Sequence, residues 1–130
     1  MRVNAAQLKM EVLPGEFSIH QYPPAAAVPE AVLTCSFYNI CRTRDELSIV
    51  CRDNIALESP RCEKNWSCIK VIGPLEFGLT GILAHLAGLL AEAGISLFAL
   101  STFDTDYLLV KTDRLAAAVD ALQAGGCHFI

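Results

Sequence analysis

Two segments of this chain, sixty residues apart, repeat one pattern without a gap. Residues 37–50 lie over 97–110, and each reads as an apolar strand, a short polar turn with acidic residues, and a second apolar strand. That is the signature of a β-hairpin, and its recurrence predicts two related halves. Upstream of each hairpin lies another strand ending in a proline turn: Glu16 to Tyr22 before Pro23, and Trp66 to Ile72 before Gly73-Pro74.

The halves differ in what joins that strand to its hairpin. In the second, Ile82, Leu83, Leu86, Leu89, Leu90 and Ala93 recur at helical spacing, Thr80 can cap the helix and Gly94 stops it. In the first, Pro23, Pro24 and Pro29 leave room for at most a short helix from Pro29 to Leu33. Beyond the second hairpin, Leu115, Ala118, Val119 and Leu122 share the face of another helix. Asp113 is its expected N-cap, Gly125-Gly126 ends it, and Cys127 to Ile130 reads as a last strand.

The expectation is an α+β, ferredoxin-like fold in two tandem halves, residues 1–62 and 63–130. The second half carries the full β-α-β-β-α-β order. The first is a reduced copy with strands at Leu8 to Leu13, Phe17 to Tyr22, Phe37 to Arg42 and Leu47 to Cys51, and Pro14-Gly15 turns between the first two.

Hydrophobic residues at 53% and charged residues at 18% of 130 supply a core and argue against disorder. A net charge of −4 with scattered Lys and Arg does not make a nucleic-acid surface. The longest apolar stretch, Ile82 to Leu100, is broken by His85, Glu92, Gly94 and Ser96, so no membrane span is expected. Met1 to Gln7 lacks the apolar run of a signal peptide, and the reading is cytoplasmic. The six cysteines form no C-x-x-C pair and have no histidine at metal-ligand spacing, so they are expected as buried free thiols. His20, His85 and His128 stand isolated and receive no chemistry. No nucleophile-and-base motif, metal-ligand motif or phosphate loop appears. The chain reads as a non-enzyme with no catalytic residues, metal or cofactor.

One pairing of segments points to a ligand. From Gly73 to Leu83 the chain passes from a strand through a glycine-rich turn into a helix, whose start offers unpaired N–H groups and a dipole that favour a carboxylate. Downstream, Ser101-Thr102-Phe103-Asp104-Thr105-Asp106 is a polar run at a strand end, and its aspartates suit a cation. Together they describe a site for a zwitterion such as a free amino acid. Each residue also has a plainer use: Thr80 as a cap, Gly78 and Gly81 as turn geometry, Asp104 and Asp106 as a solvated hairpin tip, Phe103 as core.

Phe77 to Ala84, Leu90 to Ser96 and Ser101 to Val110 resemble ACT domains, especially small bacterial stand-alone proteins with two ACT-like halves. The same subfamily of domain occurs in CASTOR-type arginine sensors. Leu13 to Ser18 resembles the opening of the bacterial proteins. The resemblance implies a regulatory amino-acid-binding module that pairs with a second ACT unit, here as a homodimer. Carried over by motif, the ligand-binding candidates are Thr80, Gly81, Ile82, Ser101, Thr102, Phe103 and Asp106. The sensors have an acidic residue where this chain has Leu79, which implies a neutral amino acid rather than arginine. The alternative of a different class is a structural dimerisation module with no metabolite; the reduced first half favours it, and the glycine-rich turn beside a polar strand end favours the sensor.

Overall fold

Eight strands and three α-helices appear in the structure, a computed structural model that describes residues 8–73 and 80–130. They are β1 (Lys9–Val12), β2 (Phe17–Tyr22), α1 (Glu30–Leu33), β3 (Tyr38–Arg42), β4 (Leu47–Arg52), β5 (Arg61–Val71), α2 (Ile82–Glu92), β6 (Phe98–Ser101), β7 (Asp106–Lys111), α3 (Leu115–Ala124) and β8 (His128–Phe129). Two compact units result: Gly15–Trp66, and Ser67–Ile130 together with the chain up to Pro14. The boundary falls inside β5.

In the Ser67–Ile130 unit the strands run in the order β8-β1-β5-β7-β6. Without β1 this is the ferredoxin-like order, so the α+β fold expected from the sequence is found with one strand interposed. β1 pairs antiparallel with β5 (Met10 opposite Val71, Val12 opposite Ile69) and parallel with β8 (Met10 opposite Phe129). The sequence reading grouped that strand with residues 1–62. Its partners lie fifty-seven or more residues away, and no local pattern announces them.

One apolar cluster holds this unit together. Ile82, Leu86 and Leu90 of α2 and Ala118 and Leu122 of α3 pack with Met10, Ile69, Val71, Leu108 and Val110 of the sheet. The α2 positions fall every four residues on one helical face, as the periodicity required. Both helices end in the same device. Gly94 (φ +70°) and Gly126 (φ +100°) take left-handed conformations. Ile95 N–H then donates to Leu90 O at 2.9 Å and Cys127 N–H to Leu122 O at 3.0 Å. This arrangement satisfies carbonyls that a helix end otherwise strands. The helix starts differ from expectation. Gly81, not Thr80, occupies the N-cap of α2, at φ +85°. A 3-10 turn at Thr112–Arg114 precedes α3, so Arg114 stands where Asp113 was expected to cap.

In the Gly15–Trp66 unit the order is β3-β4-β2-β5, the last contributed by the first part of the long strand. The three prolines leave only the four-residue α1, with Pro29 at its N-cap. Val32, Leu47, Ile49 and Cys51 form the core. Each unit holds its hairpin in a corresponding place: β4 lies between β2 and β3, and β7 between β5 and β6.

The match between hairpins is off by one from the sequence alignment. Thr43 N–H donates to Glu46 O at 2.9 Å, and Thr102 N–H to Thr105 O at 2.8 Å. In each turn the threonine Oγ1 accepts from a backbone N–H three residues on, Glu46 in one and Thr105 in the other. The equivalent turns therefore begin fifty-nine residues apart, not sixty. Because side chains alternate faces along a strand, one residue of slip would put every side chain on the wrong face. With the corrected spacing, buried Ile49, Val50 and Cys51 match buried Leu108, Leu109 and Val110.

The cysteines are free thiols, but not all are buried. Cys51, Cys68 and Cys127 are enclosed, whereas Cys41 and Cys62 are exposed. Burial pushes the Cys68 thiol up to about 12 and that of Cys51 up to about 11. The thiolate is the reactive form. Maleimide labelling of the native protein, read by mass spectrometry, is expected to modify Cys41 first and to reach Cys68 only on unfolding. Equal rates for the two would contradict this packing.

Candidate functional site

Four residues close the β6–β7 hairpin, and their hydroxyls are largely committed to the turn. Thr102 Oγ1 donates to Thr105 O and accepts from Thr105 N–H, both at 3.2 Å. Thr105 is buried, and its hydroxyl donates to Val71 O, which fixes the start of β7 against the C-terminal end of β5. Phe103 and Asp104 stand at the tip, with Phe103 79% exposed. Its place as core is thereby excluded.

Below the tip, Ser101 and Asp106 are the last cross-strand pair. Ser101 Oγ donates to Asp106 Oδ1 at 2.7 Å. An ionised carboxylate accepts at two oxygens, so this bond orients Asp106 while leaving it further acceptor capacity. The serine thus holds the half-buried aspartate rather than competing for a cation.

Ile82, the first residue of α2, belongs to the buried apolar cluster that includes Val71 and Leu108. Ile82 is buried, so its side chain belongs to the core and only its backbone N–H is available for chemistry. Gly81 sets the entry. At φ +85° a side chain is strained, and a Cβ there would meet nothing within 4 Å among the described residues. Among the described residues, the requirement is therefore for the backbone conformation and not for close packing. His85 N–H makes the first helical bond, to Gly81 O at 2.9 Å. The N–H groups of the preceding turn have no acceptor within the helix. Thr80 is exposed. Gly78 and Leu79 lie outside the described residues.

The geometry thus joins Ser101 to Asp106 directly and Thr102 to Thr105 across the turn. The role of Thr105 was not anticipated, because an alignment at sixty residues set it opposite Asp45 instead of Glu46. Among the described residues, no cluster of three or more His, Cys, Asp or Glu side chains is placed to hold a metal ion. No helix among them is long and apolar enough to cross a membrane.

Comparison with known proteins adds the following. A family model described as ACT domain matches residues 61–124, and a second model, of an N-terminal domain, matches residues 15–57. The human cytosolic arginine sensor for mTORC1 subunit 1 is 41% identical over 59 residues, 45% of this chain and 18% of the sensor. The chain thus matches less than a fifth of the length of that relative. A crystal structure of a protein from Agobacterium tumefaciens superposes with a TM-score of 0.87 at 36% identity, covering 95% of this chain and 92% of that one. The aspartate kinase of Clostridium acetobutylicum shares the fold at a TM-score of 0.66 and 14% identity, over 89% of this chain and 33% of the kinase.

Proposed function

We propose that this chain, which belongs to the ACT-domain family and is related to the CASTOR-type sensors, is a non-catalytic regulatory protein that binds a free amino acid. The observation that carries the reading is the oriented Ser101–Asp106 pair at the closed end of the β6–β7 hairpin. The ligand carboxylate would lie against the N–H groups around Thr80, Gly81 and Ile82, where the helix dipole favours negative charge. Its ammonium would face Asp106 and the polar groups of Ser101 and Thr102. Phe103, exposed at the tip, would close over the aliphatic part. Leu79 in place of an acidic residue favours a neutral amino acid. No cofactor or metal has a part in this reading.

A thermal-shift screen of the twenty amino acids tests it. A ligand at a hundred times its dissociation constant adds about 2.7 kcal/mol of stability, a rise of several degrees. A neutral amino acid is expected to give that rise. No shift with any of them would leave the structural module as the better account.

The family pairs its units, and a homodimer is part of the proposal. The β6 strand is at one edge of its sheet, and an edge presents unpaired N–H and C=O groups that a second copy can cover. Sedimentation is expected to show a dimer at micromolar concentration, and a monomer would contradict this.

A further inference from the structure

In the Ser67–Ile130 unit, α3 connects β7 to β8 and packs over the sheet. The corresponding connection in the other unit, from β4 to β5, is only residues 53–60, and it contains no helix. Where a helix would bury apolar side chains, this unit places polar ones. Ser18 and His20 on β2 are enclosed, His20 with 3% of its surface exposed. The short connection leaves a cleft of about 280 Å³ lined by Ser18, His20, Asp53, Asn54, Ile55 and Lys64 among others.

The polar groups in this cleft are fixed, not loose. Ser18 Oγ donates to Asp53 Oδ1 at 2.5 Å. His20 Nδ1 meets Ser59 Oγ at 2.8 Å, and its other ring nitrogen is 4.0 Å from Cys62 Sγ. Asp53 N–H donates to Glu16 O at 2.9 Å, which ties the head of the connection to β2. Desolvation by burial, then the charge of Lys64, lowers the His20 pKa, against an opposing pull from Asp53. The ring is therefore neutral at pH 7, with one donor and one acceptor nitrogen. A concave site with few oriented polar groups is how small-molecule sites are built. A carboxylate, Asp53, and an ammonium, Lys64, both line this one.

We propose that this cleft is a second ligand site, distinct from the Thr80–Asp106 site, for a short zwitterion of the size of glycine or serine. Asp53 receives the ammonium and Lys64 the carboxylate, while the His20 imidazole, held by Ser59 and Cys62, forms the enclosed wall behind them. The inference does not depend on the reading of the other site. It assigns the reduced unit a binding role that its lost helix makes room for.

The test is an amide- and imidazole-resolved NMR titration of the whole chain with glycine and L-serine. Acetate and methylammonium serve as one-ended probes. Saturating shifts are expected at Ser18, Asn54, Ile55 and Lys64 and on the His20 ring, unchanged in Asp106→Ala. Lys64→Gln and Asp53→Asn are each expected to weaken binding at least about tenfold, the loss of one charge-assisted contact. The asparagine oxygen can still accept from Ser18, so Asp53→Asn tests the charge without removing that bond. Shifts confined to residues 80–106 would overturn this inference and leave the other site standing. So would non-saturating shifts, equal affinity for the one-ended probes, or binding untouched by both substitutions.

The neutral His20 also makes a prediction independent of any ligand. Unfolded, its ring takes a proton near pH 6.5; folded, it resists until lower pH. The unfolded chain then binds more protons, so stability falls as pH drops from 6.5 through the folded value. Asp53, Lys64 and Cys62 face the ring. Urea unfolding between pH 7 and 5.5 is expected to show a smaller loss in His20→Gln than in wild type. An equal loss would contradict a buried neutral ring.

Discussion

Leu90→Ala is expected to cost about 2–5 kcal/mol, a large part of the 5–15 kcal/mol that holds an ordinary domain together. Leu90 is fully buried in the cluster where α2 meets the sheet. It also occupies the position whose carbonyl accepts from Ile95 at the helix end. Alanine keeps that carbonyl and helical propensity, so the loss isolates the cavity left by the leucine side chain. Urea denaturation of both proteins measures it, with the midpoint falling and the slope unchanged if only stability changes. A loss below about 1 kcal/mol would mean that α2 is not packed on the sheet as described.

The second large effect is on ligand binding. Asp106→Ala is expected to weaken amino-acid affinity about ten- to a hundredfold, because a charge-assisted hydrogen bond is worth roughly 1.5–3 kcal/mol. The fold should tolerate it. Asp106 is half-buried at the strand end, and the turn beyond it is closed by Thr102 and Thr105, which remain. Gly81→Val attacks the other side of the same site. It forces a β-branched residue to φ +85°, where L side chains are strained, and so displaces the entry to α2 and the N–H groups it presents. Binding that survives both substitutions, measured by calorimetry on folded proteins, would place the ligand elsewhere.

Much of this molecule could be read from residue patterns, for identifiable reasons. The hairpins were legible because period-two alternation and turn residues are local signals, and α2 because Ile82, Leu86 and Leu90 repeat along one face. The family could be read because its motifs fall on those same elements. What failed was set by contacts distant in sequence. β1 belongs to the later unit through partners at Ile69–Val71 and His128–Phe129. The first part of β5, Arg61 to Asn65, is polar and exposed, and it is a strand only because Ile19, His20 and Gln21 pair with it. There Asn65 takes φ +66°, beside a register shift in the pairing with β2. Asparagine tolerates this conformation where most residues do not.

The local geometry of the candidate residues was legible in part. Ser101 and Asp106 belong together, as the polar run implied, but Ser101 serves the aspartate, and Thr105 rather than Asp104 has the fixed place. The Ile82 side chain is buried in the core. His20 looked isolated because its neighbours Asp53, Ser59 and Cys62 are more than thirty residues away and none forms a motif with it. A buried cluster assembled across strands leaves no spacing to find.

The central claim is that a neutral amino acid binds where α2 begins and the β6–β7 hairpin turns. An amide-resolved titration of the wild-type chain with the neutral amino acids measures this directly. The account predicts that one of them produces saturating shifts at Thr80, Gly81 and Ile82 together with Ser101, Thr102, Phe103 and Asp106. No saturating shift at those residues with any amino acid at millimolar concentration would contradict it.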